Sequence, residues 1–468
     1  MDNLYILMKP ELALAFIIFA LLIIQVGGWI KNNAAWLVLA NVLLLLNFLA
    51  GFFLNGKGIL FNGMYHTNGA IALEKNILNF GILIISLQAY NWLKKHSHLA
   101  EFYILMLCTV LGLFFMISSG NFLMFYLGLE LSSIPLAGLV NFDLEKKRSG
   151  EAAIKLILSS AFASGLMLFG ISLIYGLTGS IDFGALPQLI TGNSLELAAL
   201  VFIFAGFAFK LSAVPFHFWT ADVYEGAPVP VTSFLSVISK AAAVFVFISV
   251  LVPFFASAPR AWYSVLLITI VLTVSIGNLF AIRQNNIKRF LAFSSISQVG
   301  FILLGLAPGN AMGIHSAIYF LIVYLFSNLG AFGIVALVSS QTGKEDISDY
   351  RGFSKTNPVL AWAMAISLFS LAGIPPTAGF FGKMFLITSG ANAGNYLLIT
   401  FAALNMVVSL YYYLKVIRSM FIDQSETPFE KIGVNFATSA AIVLCFAGVL
   451  ATGFASSLYQ YITNAFSI

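Results

Sequence analysis

Lys155, Lys210, Lys240 and Lys383 stand within apolar stretches of this sequence, and one acid, Glu130, stands within another. An ammonium near the middle of a bilayer costs about 2.5 to 3.5 kcal/mol even on a lenient insertion scale, so packing alone gives no reason to keep four of them. An ammonium coordinates no metal cation; what it can exchange is a proton. Glu130 lies in Phe125-Tyr-Leu-Gly-Leu-Glu130-Leu-Ser-Ser-Ile-Pro135, nine residues after Asn121 and eleven before Asn141, and reads as the only one of the 18 acids placed mid-span. A lone buried carboxylate would take up a proton, whereas one close to a lysine stays ionised and lowers the cost of both charges. With an effective dielectric of ~20, opposite charges ~10 Å apart attract by about 1.7 kcal/mol, so a displacement of a few ångström is a physical switch.

The lysines differ in setting. Lys210 follows a long apolar run and precedes Pro215 by five residues; Lys240 is eleven residues into its helix, past Ser233, Ser236 and Ser239; Lys383 follows Gly382 after a Pro-Pro pair. Lys155 comes only five residues after Gly150, close enough to the helix end for its stem to carry the charge to the interface. A relay also needs groups to join the lysines. Tyr319 and Tyr324 on helix 11, Ser294, Ser295, Ser297 and Gln298 on helix 10, and Ser159 and Ser160 on helix 6 have the chemistry, though each type serves equally as interhelical glue. His217 and His315 are the histidines best placed to titrate in the membrane or at its edge.

These groups need a scaffold, and composition fixes its solvent. Of 468 residues, 60% are hydrophobic and 9% charged, which describes a polytopic membrane protein. The net charge of +5 implies no nucleic-acid partner, because the basic residues sit mostly in short loops. Cys108 and Cys445 lie far apart in apolar segments and offer neither a disulfide framework nor a metal motif. No dinucleotide fingerprint, iron–sulfur cysteine cluster, bis-His haem pattern or Walker A signature occurs, so the chain is expected to bind no cofactor or metal and to hold no redox centre. The first apolar run is long enough to span and reads as a helix, not a cleaved signal.

Stretches of roughly 20 apolar residues place about fourteen transmembrane helices, near 10–28, 35–54, 76–93, 99–118, 121–141, 152–178, 195–216, 229–253, 261–282, 287–307, 312–340, 357–388, 393–421 and 433–462. Fifteen lysines and arginines fall in the loops after helices 1, 3, 5, 9, 11 and 13, against four (Lys9, Lys57, Lys75 and Arg260) on the other side. That alternation puts both termini on the non-cytoplasmic side. Pro215 in helix 7 and Pro375-Pro376 in helix 12 should break those helices at membrane depth, which is tolerated where backbone lines a cavity or is covered by protein. Helices 7 and 12 are each fourth in a unit of five, helices 4–8 and helices 9–13. An odd number of spans turns the second unit over, so the pattern predicts inverted repeats with discontinuous helices in matching places, a pointer to an ion path. The expected organisation is an all-α membrane protein with residues 1–98 as a three-helix addition, 99–253 and 254–421 as the repeats, and 422–468 carrying helix 14.

The run Phe209-Lys-Leu-Ser-Ala-Val-Pro-Phe-His-Phe-Trp-Thr-Ala-Asp-Val-Tyr-Glu-Gly-Ala-Pro-Val-Pro-Val-Thr-Ser233 resembles the signature of the antiporter-like subunits of respiratory complex I. Leu127–Leu136, Asn286–Gly300 and Leu371-Ala-Gly-Ile-Pro-Pro376 leading to Lys383 are similar to further motifs of that family, and the Asp222-Val-Tyr-x-Gly-Ala-Pro228 form points to its N branch. The resemblance covers essentially the whole chain. It implies that Glu130 and Lys210 are the helix 5 and helix 7 partners, Lys240 the central lysine, and Lys383 the residue facing the outer half-channel. Proton translocation would then be driven by quinone reduction in partner subunits, which would hold NADH, FMN, iron–sulfur clusters and quinone, in a bacterial inner membrane. The expected neighbours are the antiporter-like M and the small K/J-type subunits. Ala221 departs from the usual proline, and Gln298 stands where many relatives of this type have histidine, which weakens a helix 10 histidine relay. The competing readings are a subunit of a multisubunit cation/proton antiporter and a non-pumping scaffold.

Overall fold

The computed structural model describes residues 2–54, 56–252, 260–392, 394–425 and 429–466. The spans are α1 (Lys9–Gly27), α2 (Asn33–Ala50), α3 (Gly69–Gln88), α4 (Leu99–Ile117), α5 (Phe122–Val140) and α6 (Lys147–Thr178). They continue with α7a (Ser194–Leu211) and α7b (Phe218–Gly226), α8 (Val229–Leu251), α9 (Arg260–Ile282), α10 (Ile287–Leu306) and α11 (Ala311–Thr342). The last are α12a (Pro358–Ala372) and α12b (Ala378–Asn392), α13 (Tyr396–Phe421), α14 (Phe436–Phe454) and the short α15 (Ser456–Ala465). Thirteen helices among the described residues are long and apolar enough to cross a bilayer. The fourteenth expected span, helix 12, is the pair of 15-residue halves α12a and α12b. The expected end of helix 8, the unit boundary at 253/254 and the expected start of helix 13 at 393 lie outside the described residues.

Eight helices (α2, α3, α5, α7a, α10, α11, α13 and α14) start on an asparagine whose side chain accepts an amide of the first turn. Each cap fixes where its helix begins, and so the depth of the polar residues along it. Enclosure then separates the helices. α8, α10 and α11 are covered on nearly all sides, while α1, α2 and α13 expose most of their surface, with residues such as Phe16, Leu46 and Val407 facing outward. Apolar side chains on the rim and buried Ser, Asn, Gln, Tyr and Lys at the centre suit a hydrocarbon solvent with a polar line inside.

The two units correspond in detail. α4 packs on α5 and α9 on α10; α6 packs on α7a and α11 on α12a. Before α5 and after α6, Asn121 and Asp182 form an isolated antiparallel bridge, and Asn286 and Asp346 form one before α10 and after α11. Each bridge uses two backbone bonds in the same register: Phe122 N to Ile181 O (3.1 Å) and Phe183 N to Gly120 O (3.0 Å), then Ile287 N to Glu345 O (2.8 Å) and Ile347 N to Asn285 O (2.7 Å). Both discontinuities contain a left-handed residue, Ser212 and Gly373, followed by a cis X-Pro bond, Val214-Pro215 and Pro375-Pro376.

Three expectations need correction. α3 begins at Gly69 and not near 76, so Glu74 and Lys75 lie inside the span and Glu130 is not alone among acids in a span. The charged pair had read as a boundary, but Lys75 is neutralised by Glu11 of α1 at 2.5 Å, with both side chains almost fully covered. The loop from α2 to α3 holds a two-stranded hairpin, β1 (Gly58–Leu60) and β2 (Tyr65–Thr67), within an otherwise helical chain. Its turn uses positive φ at Phe61, Asn62 and Gly63, an Asn-Gly turn signal. Finally, the last expected span divides into α14 and α15 around Ala455.

Candidate functional site

Lys210 occupies the penultimate position of α7a, where the helix dipole favours a cation. Its buried ammonium donates to Ser132 Oγ and Ser133 Oγ of α5, both at 3.2 Å. Glu130, one turn away on α5 and half-buried, acts on the ammonium through space. Both line a narrow cleft that also takes in Ser160 of α6, Trp219 of α7b and Ser239 of α8. The freed backbone of this break is satisfied nearby. Ala213 N reaches Ala208 O (2.7 Å), Val214 N reaches Thr273 Oγ1 (3.0 Å), and Trp219 Nε1 reaches Phe209 O (3.2 Å).

Lys240 follows Ser239 in the middle of α8, directly after a π-helical segment, Leu235–Ser239. A π turn widens the ladder locally and recurs at functional positions. The ammonium donates to Ser295 Oγ of α10 at 2.8 Å and lies 5.7 Å from the centre of the Tyr224 ring. Ser236, one turn before it, joins Tyr324 and Asn328 of α11: Asn328 Nδ2 donates to Ser236 Oγ (2.6 Å) and to Tyr324 OH (2.8 Å).

The line continues on α10. Ser294 Oγ and Tyr413 OH are 2.5 Å apart, and Gln298 Nε2 donates to Tyr413 OH (3.0 Å) and to Leu371 O (2.8 Å). Lys383, fully buried on α12b, donates to the same Leu371 O (2.7 Å) and to Ala372 O (3.2 Å), and stands 4.9 Å from the Phe301 ring centre. Lys383 therefore satisfies the last carbonyls of α12a, which the Pro-Pro break deprives of helical amides.

The other expected residues divide. Tyr324 and Gln298 join the row. His315 Nε2 meets Phe466 O at 3.3 Å and Tyr319 OH donates to Thr452 O at 2.8 Å, so both fasten α11 to the C-terminal helices. His217, buried just before α7b, has its ring centre 4.5 Å from that of Phe218, tilted by 31°. Lys155 is not enclosed: its side chain is 42% exposed and pairs with Glu151 and Asp222, each at 2.7 Å. Five residues from Gly150 proved close enough to the helix end for its charge to find acids there.

Sequence reasoning passed over the charged groups around α7b. Arg289 pairs with Asp222 (2.6 Å) and Glu225 (2.8 Å), Arg148 reaches Glu225 (3.4 Å), and Lys288 pairs with Glu345 (3.0 Å). The Asp222 carboxylate accepts from both Lys155 and Arg289, at 2.7 and 2.6 Å. The adjacency of Lys288-Arg289 to a helix start, where the dipole disfavours cations, was the available signal. No group of three or more metal-binding side chains converges among the described residues.

Residues 119–409, which include Glu130, Lys210, Lys240 and Lys383, match the family described as NADH:quinone oxidoreductase/Mrp antiporter, transmembrane. The chain is 46% identical over 409 residues to an NADH-quinone oxidoreductase subunit N of Phocaeicola vulgatus, covering 86% of this chain and 87% of that one. It is 36% identical over 457 residues to the subunit N of Rhodospirillum rubrum, covering 93% of each. Among solved structures, a chain of respiratory complex I from Thermus thermophilus superposes with a TM-score of 0.81 at 31% identity, over 95% of this chain and 96% of that one. A chain of the Mrp complex of Dietzia sp. DQ12-45-1b shares the fold, with a TM-score of 0.84 at 20% identity over 97% and 96% of the two chains. A broken-helix scaffold around a lysine row and sustained identity to these relatives lead to one conclusion: the chain belongs to the family of NADH:quinone oxidoreductase subunit N, among the antiporter-like membrane subunits of complex I.

Proposed function

We propose that this subunit carries protons across the membrane along Glu130, Lys210, Lys240 and Lys383, driven by quinone reduction in partner subunits. The observation that supports it is the near-continuous polar line through the enclosed helices. Lys240 rests on Ser295, and the adjacent Ser294 opens the chain Tyr413, Gln298, Leu371 O and Lys383. Glu130 is the one acid on the row and biases the Lys210 end. Tyr324 and Gln298 serve as joining groups, whereas Lys155 acts at the helix end and His217, His315 and Tyr319 have supporting roles. In this reading residues 99–253 and 254–421 are the inverted units, 1–98 and 422–468 are additions, and both termini face away from the cytoplasm of a bacterial inner membrane. NADH, FMN, iron–sulfur clusters and quinone belong to partner subunits, and the M-type and small K/J-type subunits are the expected neighbours. The fold shared with the Mrp complex leaves cation/proton antiport as a second reading.

The test is Glu130→Gln in inverted membrane vesicles, with NADH-driven acidification and quinone reduction measured together once assembly is verified. Loss of acidification in an assembled complex is the expected result. Native acidification at a native reduction rate would refute the coupling role of Glu130.

A further inference from the structure

Lys288 is a buried lysine that the row does not use. It is the second residue of α10, only 4% exposed, at the helix end where the dipole disfavours a cation. Its ammonium lies 3.0 Å from Glu345 Oε2 and donates to Ala227 O at 3.2 Å, the joint between α7b and α8. Glu345 is held in turn: Ser339 Oγ donates to its Oε1 at 2.8 Å, and its own carbonyl accepts Ile287 N at 2.8 Å. The bridge between the two loops thus brings this pair together. The carboxylate side chain is 25% exposed and the ammonium side chain 5%, so one partner meets solvent and the other closes the way inward.

Glu345 and Lys288 line a polar cavity on the face that carries the loops after α3, α5 and α11. Pro230 of α8, Lys288 of α10 and Ala336 of α11 line it too; α10 carries Ser295, which accepts from Lys240, and α8 and α11 carry the Ser236 and Asn328 pair one turn from Lys240. Ser236 is six residues beyond Pro230, Ser295 seven beyond Lys288, and Asn328 eight before Ala336. At 1.5 Å per residue each helix separately gives about 9–12 Å from cavity to polar cluster.

We infer that Lys288 and Glu345 form the inlet by which protons from the cytoplasmic face reach Lys240, an assignment that rests on the translocation reading above. The Glu345 carboxylate takes a proton from cavity water. Lys288, its counter-charge removed, releases one of its protons inward past Ser295 to a neutral Lys240 amine. The neutral Lys288 amine then recovers the proton held by Glu345, which restores the ion pair with one proton moved and no charge left behind. Asp143, Lys146, Arg148 and Glu225 line the same cavity and set the field around the pair.

Lys288→Met, Lys288→Arg and Glu345→Gln are compared with Lys240→Met in inverted vesicles containing the assembled complex, following the initial rate of NADH-driven acidification. Arginine keeps the charge and the ion pair but does not give up its proton, so it separates a proton-passing role from a structural one. The expected result is at least a roughly tenfold loss in the Met and Arg variants alike, below the smallest factor usual for a positioned proton-transfer group. Native rates in Lys288→Arg overturn the inlet and reduce the pair to a fastening between loops. If a Lys288 variant fails to assemble, Glu345→Gln decides in the same way, with native acidification counting against the inlet. Loss in Lys240→Met alone sinks the inlet and leaves the translocation reading standing; native rates in Lys240→Met sink that reading itself.

Discussion

Replacing Lys75 strands two carboxylates inside the N-terminal helices. Glu11 of α1 lies 2.5 Å from the Lys75 ammonium, Glu74 precedes it on α3, and all three residues are buried. Lys75 also donates to Tyr65 OH at 3.2 Å and lies 5.8 Å from the Phe114 ring centre, so one side chain joins α1, α3, α4 and the hairpin. At an effective dielectric of ~20, unit charges ~2.5 Å apart attract by about 6.6 kcal/mol. Taking each ion out of water costs several kcal/mol, so the intact pair is worth little more than an apolar pair of equal volume. Breaking it is different, at about 3–5 kcal/mol, because the survivor keeps its desolvation cost without its partner. Lys75→Met is therefore expected to be harsher than Glu11→Leu, which leaves Glu74 beside the lysine. The double variant removes Glu11 but leaves Glu74 without the lysine, so it should recover the Glu11 share of the loss. The assay is a double-mutant cycle on the heat-inactivation rate of the assembled complex in membranes, where tenfold in rate corresponds to about 1.4 kcal/mol of barrier. Single variants that inactivate no faster than surface substitutions, or a double variant as labile as the sum of the two, would refute the reasoning. The pair lies off the lysine row, so the double variant should also acidify vesicles at the native rate.

Two further outcomes follow from close contacts. Ser295→Ala removes the side-chain acceptor from Lys240, a charge-assisted bond of about 1.5–3 kcal/mol; acidification should slow by roughly tenfold or more, and Ser295→Thr, which keeps the hydroxyl, should restore most of it. Gly112 of α4 and Gly128 of α5 meet backbone to backbone, and a Cβ at Gly112 would overlap Ser132 N. Gly112→Val should push α5 outward with Glu130 and Ser132 and lower the amount of complex assembled, read on a native gel, with Gly112→Ala milder.

Much of the architecture was legible because the bilayer imposes length and charge rules that single residues report. Runs of apolar residues located the spans, and Pro215 and Pro375-Pro376 marked the breaks. What failed was local. Glu74-Lys75 had the look of a helix boundary because a charged dipeptide in an apolar run is costly unless neutralised, and the neutralising Glu11 is 64 residues earlier. Lys288 was assigned to a loop for the same reason; its partner Glu345 is brought to it by a backbone bridge that no periodicity announces. Pairing between distant charges is a tertiary fact, and the sequence offers only the unpaired members.

Comparing the two units shows that the two ends of the row are unlike. Matching the two bridges aligns Asn121 with Asn286, and Glu130 stands nine residues after the first as Ser295 stands nine after the second. Equivalent places in the two units thus hold an acid acting on Lys210 and a hydroxyl bonded to Lys240. The breaks are equally unlike: Lys383 is tied to two backbone carbonyls, while Lys210 holds only serine hydroxyls. A fixed carbonyl dipole near Lys383 cannot change its charge, whereas Glu130 can gain or lose one. An acid beside the ammonium is thus peculiar to the Lys210 end, and fixed carbonyl dipoles to the Lys383 end. The Lys383 ammonium meets the Lys240 side of the row through Leu371 O, Gln298 and Tyr413.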